Sequence, residues 1–529
     1  MKLEFLGADH EVTGSCHYLK VGQTHVLIDC GMEQGADLYV NQEIPVNASE
    51  VDYVLVTHAH IDHSGLLPLL YNHGFRGKIY ATNATTELCE IMLKDSAHIQ
   101  QFEAEWKNRK ARRAGRPEVV PLYDINDAMG VMEHFVPCPY AQKIEIEPGL
   151  TIRFVDAGHL LGSASIEVWA EDEDGKTKIV FSGDIGNGNK PLIKDPHFIE
   201  DADYVVMEST YGDRLHEVSV DYAKELAEVI TETFHRGGNV VIPAFSVGRT
   251  QELLYFLRRI KTENLMKEYQ DFEVYIDSPL AVEATGIFHK NVAECFDEEA
   301  LELVGKGINP IRFDGLKMAI TSDESKMINF NEKSKVIISA SGMCEAGRIR
   351  HHLKHNLWRA DSTIVFVGFQ VPGTLGHSLL NGVKEVKLFG EAIKVAADIV
   401  QLEGLSGHAD KNGLLKWVNS FEKKPEEVFV VHGEDAVCEA FTSCLKDEYK
   451  FKARAPYSGD VFDLIAGEWT EWGSRERIQK KPKQSSAYIR LLTASERLKS
   501  VIEHNEGGTN KDLGKFTDQI IALCDKWER

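Results

Sequence analysis

The hydrophobic pattern changes style three times along the chain. Residues 2–6, 17–21 and 25–29 read as short strands, the last two joined as a hairpin across Gly22 and Gln23. Residues 51–56 carry Val51, Tyr53, Val54, Leu55 and Val56, dense enough for a buried strand. Helical periodicity covers 66–73 and 83–101, with a short strand at 78–81 between them. Further strands fall at 151–156, 166–170, 178–182 and 204–208. Then Tyr222, Leu226, Val229, Ile230 and Phe234 mark a regular helix stopped by Gly237 and Gly238. Strands at 239–242, 272–276, 335–340 and 363–367 are each followed by a turn of small residues, in the manner of a parallel α/β domain. Beyond Asn381 the chain is β-rich again, with a hairpin at 384–389 and 392–396, strands at 399–402 and 428–431, and a helix at 411–421. From about Lys480 a basic, polar connection precedes a helical extension marked by Ile489, Leu492, Leu498 and Ile502.

Polar, chemically capable residues recur where these strands end. Thr57 closes the 51–56 run, and His58, His60, Asp62 and His63 follow. Alternation in an extended segment puts His58 and His60 on one side. A turn into a helix aims Asp62 and His63 elsewhere, which suits two adjacent metal ions better than one. Imidazole and carboxylate are ligands that zinc and similar ions accept. A surface loop rich in His is the blander reading, and it leaves the apolar strand leading into it unexplained. Asp29, after 25–28, fits a cap, a turn former or an active-site group. His159, Asp184 and Glu208 each lie at or just past a strand. Their recurrence favours one shared site. In the α/β region, turns at helix starts offer backbone N–H groups to an anion, and Arg249 and Arg348 strengthen the case for phosphate.

Composition narrows the classes. With 59 basic and 82 acidic residues among 529, the formal charge is −23, so any contact with nucleic acid has to be local. The basic stretch at 107–116 fits a solvated helix end or a phosphate-contacting arm equally well. Nine scattered cysteines form no C-x-x-C pair, which argues against a zinc knuckle or disulfide framework and for a reducing cytoplasm. The N-terminal residues lack the pattern of a signal peptide, and no apolar run is long enough for a membrane span.

Thr57-His58-Ala59-His60-Ile61-Asp62-His63-Ser64-Gly65 resembles the signature of the metallo-β-lactamase superfamily, and Asp29, His159 and Asp184 follow in the order of its other motifs. The α/β insert, with Glu208 at its entrance and His408 after its exit, resembles the β-CASP branch. That branch holds nucleases related to the endonuclease subunit of the cleavage and polyadenylation specificity factor, and bacterial and archaeal ribonucleases. The likeness runs from about Met1 to Trp472. It implies a metallo-β-lactamase αββα sandwich at 1–207 and 386–475, a parallel α/β β-CASP domain inserted at 208–385, and a helical extension at 476–529. It implies two Zn2+ ions, with Mn2+ as the alternative: His58, His60 and His159 hold the first, Asp62, His63 and His408 the second, and Asp184 bridges them. Asp29 becomes an acceptor that orients a ligand, and Glu208 the first β-CASP motif. In the second motif Ser378 stands where many relatives carry His, and His377 lies one residue earlier, so either could serve there.

The chemistry implied is phosphodiester hydrolysis by a hydroxide activated between two metals. His377, polarised by Glu208, and a metal-bound water are rival proton donors to the leaving oxygen. Arg249, Ser341, Arg348, Thr374 and Ser378 are the expected phosphate contacts. The expected partner is single-stranded RNA, cut endonucleolytically and also from the 5′ end, with a homodimer admitted. Competing readings are a thioester or lactone hydrolase, disfavoured by the long insert, and a non-catalytic RNA-binding subunit, disfavoured by the full ligand set. A DNA-repair nuclease is disfavoured by His408, where such enzymes tend to carry an apolar residue.

Overall fold

The computed structural model describes residues 1–33, 44, 47–114, 117–216, 221–371, 373–477, 491, 494–495, 498–499 and 501–527. They divide into two compact units, Met1–Ser96 with Asn126–Arg477, and Ala97–Ile125 with Ile478–Arg529.

In the first unit two sheets face each other. The eight-stranded sheet runs Glu468–Glu471, Val461–Asp463, Lys2–Gly7, Cys16–Val21, Thr24–Ile28, Tyr53–Leu55, Lys78–Thr82 and Phe135–Cys138. The seven-stranded sheet runs Ala453–Arg454, Glu427–Val431, Tyr204–Glu208, Gly175–Phe181, Ala164–Asp172, Leu150–Asp156 and Ile144–Glu147. Leu3, Phe5 and Leu19 of the first sheet share a core with Phe154, Ile166 and Phe429 of the second. The Phe5 and Phe429 rings lie 5.1 Å apart in that core. A buried Phe of this kind stabilises by about 3–5 kcal/mol relative to Ala. Helices Lys411–Val418 and Asp435–Asp447 cover the outer face of the second sheet through Trp417, Leu414 and Phe441. Tyr204–Glu208 is buried at every position, as a strand covered on both faces must be. It runs parallel to Gly175–Phe181 and Glu427–Val431, so Asp184, Glu208 and His432 emerge at one end of the sheet.

The insert forms its own parallel sheet, ordered Leu316–Met318, Glu273–Asp277, Lys335–Ser339, Val240–Pro243, Thr363–Phe366 and Asp398–Gln401. This sheet reaches Gln401, past the boundary expected at residue 385. The hairpin Glu385–Leu388 with Glu391–Lys394 packs Val386 and Leu388 onto the core of the insert, carrying the chain onward to its last strand.

The second unit holds the distal part of the helix Asn83–Ala114 and the helix Asn510–Trp527. The first is longer than the expected 83–101. Lys107, Arg109 and Arg112 pair with Glu103, Glu105 and Glu118, which matches a solvated helix end more closely than an open basic arm. Gly115 and Arg116, and the expected helix markers Ile489 and Leu492, lie outside the described residues. Among the described residues no helix is long and apolar enough to cross a membrane.

Candidate metal centre and cleft

The strand Tyr53–Leu55 gives way at Thr57 to a loop and the single helical turn Ile61–Ser64. Asp29 lies beside this loop with φ +61. Its Oδ1 accepts the Thr57 N–H at 2.8 Å, and its Oδ2 accepts the Thr57 hydroxyl at 2.8 Å. The same Oδ2 meets His63 Nδ1 at 2.7 Å, which turns His63 Nε2 toward the centre. The next residues pack still closer. Cys30 N–H reaches the His63 carbonyl at 2.8 Å, and a Cβ on Gly31 would meet the Asp62 carbonyl oxygen at 1.7 Å. Only glycine permits that approach.

His58, His60, His159 and Asp184 converge into one potential metal group, Asp62, His63 and His432 into a second, and Asp184, Glu208 and His408 into a third that shares Asp184 with the first. His60 Nδ1 lies 3.1 Å from His58 Nε2 and 3.2 Å from His159 Nε2. Asp184 Oδ2 is 3.4 Å from both His58 Nε2 and His159 Nε2. In the second group His63 Nε2 and His432 Nε2 are 3.2 Å apart, and Asp184 Oδ1 lies 3.2 Å from the former and 3.6 Å from the latter. Each carboxylate oxygen of Asp184 therefore faces a different group. Ligands about 2.0–2.1 Å from a tetrahedral zinc ion lie about 3.3 Å from one another, and these donors stand at that spacing. Asp184 Oδ1 is buried and has no hydrogen-bond partner, as suits an atom meant for a cation.

Electrostatics agree with that fit at the first group, while at the second burial disfavours the charge on His63 but Asp184 and Asp29 outweigh it and hold its pKa well above the usual histidine range. Burial, reinforced by neighbouring imidazoles, holds His58 and His159 well below the usual histidine range, so their lone pairs are free. Burial opposes the charge on Asp184, yet His432, His63 and His58 outweigh it and hold the carboxyl well below its usual range.

His432 takes the place that the sequence reading gave to His408. It follows the strand Glu427–Val431, and its Nδ1 shares a 3.1 Å hydrogen bond with the Thr210 hydroxyl. The signal was present, because His432 ends a strand just as His159 follows one. His408 instead sits across Glu208, with Nδ1 3.1 Å from both carboxylate oxygens, and its Nε2 is 3.8 Å from Asp184 Oδ2. Burial disfavours its charge, but Glu208 and Asp184 prevail and raise its pKa to about 9. Both carboxylates therefore favour the charged form of His408.

A cleft of about 440 Å³ opens onto His60, His159 and His408. Its other wall comes from loops at strand ends of the insert, including Phe245, Arg249, Met343, Phe369 and Gln370. Of the expected phosphate contacts, Arg249 lines it; Ser341, Arg348, Thr374 and Ser378 are not among its lining residues. Arg348 is held by buried Asp277 at 2.8 Å and by the Ile320 carbonyl at 2.6 Å. The Thr374 hydroxyl caps the helix Leu375–Leu380 by accepting the His377 N–H, and the Ser378 hydroxyl donates to the Thr374 carbonyl. His377 meets Asn381, while Glu208 is engaged by His408 and by the backbone N–H groups of Ile185 and Thr210. The expected pairing of His377 with Glu208 is therefore replaced by one with His408.

Three stretches match known domain families: 18–194 the metallo-beta-lactamase superfamily domain, 250–379 the Beta-Casp domain, and 392–456 the Zn-dependent metallo-hydrolase RNA specificity domain. A Thermus thermophilus protein named Ribonuclease TTHA0252 is 37% identical over 82% of this chain and 94% of its own length. The chain belongs to the β-CASP branch of the metallo-β-lactamase superfamily. It is a metal-dependent hydrolase of the β-CASP ribonuclease family. Other β-CASP relatives include the Transcription termination factor FttA of Methanosarcina mazei, 32% identical over 86% of this chain and 70% of that one. An RNase J-like protein of Methanocaldococcus jannaschii is 30% identical over 87% and 99%. In fold alone, the chain is similar to a protein of unknown function from Enterococcus faecalis V583, with a TM-score of 0.50, 12% identity, and coverage of 87% and 99%.

Proposed function

We propose that this β-CASP protein is a zinc-dependent ribonuclease that cuts single-stranded RNA internally and also degrades it from the 5′ end. The observation that carries the reading is Asp184, whose two oxygens face two imidazole groups, next to the His159 and His408 side chains that line the cleft. His58, His60 and His159 would hold one ion, and Asp62, His63 and His432 the other, with Asp184 shared. Such ions neutralise charge growing on the phosphate and lower the pKa of the attacking water. Asp29 fixes the ring of His63, and the Gly407 carbonyl, 3.1 Å from His159 Nδ1, fixes the ring of His159. Glu208 keeps His408 charged, and His408 Nε2 gives its proton to the departing 3′ oxygen, leaving a 5′ phosphate. The remaining cysteines bar exposed Cys524 are buried and unpaired, in keeping with a cytoplasmic protein.

Metal removal tests this reading directly. EDTA-treated protein should lose cleavage of single-stranded RNA labelled at either end, and two equivalents of zinc should restore it. Undiminished cleavage after complete removal of metal would overturn the proposal. Equal rates on duplex and single strand would overturn the substrate assignment, since a cleft of about 440 Å³ suits splayed bases rather than a helix.

Phe245 and Phe369 support a substrate that carries bases. These residues are 51% and 54% exposed, yet both line the cleft and follow neighbouring strands of the insert. Stacking of a base on such a ring is worth about 1–3 kcal/mol. Phe245→Ala and Phe369→Ala should each raise KM for single-stranded RNA about tenfold, by the same principle. The rise should shrink when an abasic nucleotide replaces the stacked one. Michaelis curves identical to wild type would remove both rings from the substrate path.

A further inference from the structure

Lys190, Glu252 and Arg249 form an ion triad between the lactamase sandwich and the helix Arg249–Thr262 of the insert. Lys190 Nζ lies 3.1 Å from Glu252 Oε1, and Arg249 meets Glu252 Oε2 at 2.8 Å. Their side chains are 8%, 7% and 13% exposed for Lys190, Glu252 and Arg249. Both ends of the triad reach backbone beside the metal centre. Lys190 Nζ donates to the His159 carbonyl at 2.8 Å. Arg249 donates to the Leu405 carbonyl, and two residues later the Gly407 carbonyl faces His159 Nδ1 at 3.1 Å. Gly407 stands so close that an added Cβ would lie 3.2 Å from His159 Cε1. The contacts thus close a ring from the backbone of His159 through the triad and the 405–407 loop to its imidazole.

Energetics argue for a purpose beyond packing. Two cations and one anion are buried together, and apolar residues of similar volume would stabilise such a seam at least as well. Burial indeed pushes the Lys190 ammonium down from its usual range, against the pull of Glu252.

We propose that Lys190, Glu252 and Arg249 are positioning residues for His159. They hold its main chain and, through the 405–407 loop, the acceptor that sets its ring rotation. Docking of the insert and the geometry of the His58–His60–His159 site then become one equilibrium, so the domain that grips the substrate also tunes the ligand. The inference rests on the metal-site reading above but does not require that RNA be the substrate.

The test compares Glu252→Gln, Lys190→Arg and the double variant Lys190→Met with Glu252→Leu. Zinc affinity is read by competition with a chromophoric chelator, folding by thermal melting, and turnover on single-stranded RNA. Glu252→Gln should weaken one of the two zinc equivalents about 10–100-fold, the range for removing a ligand's orienting partner, and leave the other unchanged. Its kcat should fall while KM stays within about twofold. Lys190→Arg, which keeps the charge, should retain most of both. The double variant should melt at or above wild type and still show the weakened zinc. It keeps the test decisive if Glu252→Gln fails to fold. Wild-type zinc affinity in the folded double variant would reduce the triad to a structural seam and overturn the proposal. Failure of the ribonuclease reading would show separately, as wild-type protein that holds two zinc ions and cuts no RNA.

Discussion

Asp184→Asn should disable both halves of the metal centre in one step. Among the described residues Asp184 alone faces both groups: Oδ2 stands 3.4 Å from the nitrogens of His58 and His159, and Oδ1 3.2 Å from that of His63. An amide keeps the shape, removes the negative charge, and offers one oxygen where two are needed. Losing only an orienting partner of a ligand typically costs about 10–100-fold in affinity or activity, so losing a shared ligand should exceed about a hundredfold in cleavage. Elemental analysis should find less than one zinc per chain. Melting should stay close to wild type, because the core strand Gly175–Phe181 ends before Asp184 and keeps its pairings on both sides. Two zinc ions and near-normal turnover in this variant would dismantle the bridged-centre assignment.

Much of this centre is legible in the chain because its first part is local. His58, His60, Asp62 and His63 lie within one strand-to-helix turn, and short spacing fixes which way each side chain points. The α/β insert is legible for a similar reason, since strand, small-residue turn and helix recur with a regular period. The rest depends on pairings between remote segments. Whether His408 or His432 reaches Asp62 and His63 is decided by the strand Glu427–Val431 lying beside Tyr204–Glu208, with Val431 opposite Glu208. No local pattern near either histidine encodes that neighbour. Arg348 misleads for the same cause: it sits near a helix start, where a phosphate would be welcome, but the remote Asp277 already answers its charge. His377 looked like a partner for Glu208 because both belong to adjacent motifs. In the folded chain its ring lies on Asn381 of its own helical turn.

The sharpest division of labour is between the two histidines that the sequence alone confused. His432→Ala should remove one zinc equivalent and abolish cleavage, because it strips the group of Asp62 and His63 of its third ligand. His408→Ala should keep both zinc ions and lower kcat by about 10²–10⁴, the usual contribution of a positioned proton donor. The difference follows from what each ring touches. His432 Nε2 lies 3.2 Å from His63 Nε2, with its Nδ1 fixed by Thr210. His408 Nδ1 is instead committed to Glu208, and the residue lines the cleft. A substrate whose scissile 3′ oxygen is replaced by sulfur separates the roles further. Its thiolate departs without a proton, so the defect of His408→Ala should largely vanish on that substrate, whereas His432→Ala should remain inactive. Zinc loss in His408→Ala with zinc retained in His432→Ala would reverse the assignment and return His408 to the ligand set. An equal defect of His408→Ala on the oxygen and sulfur substrates would deny it the proton, leaving Glu208 and His408 as supports for Asp184 alone.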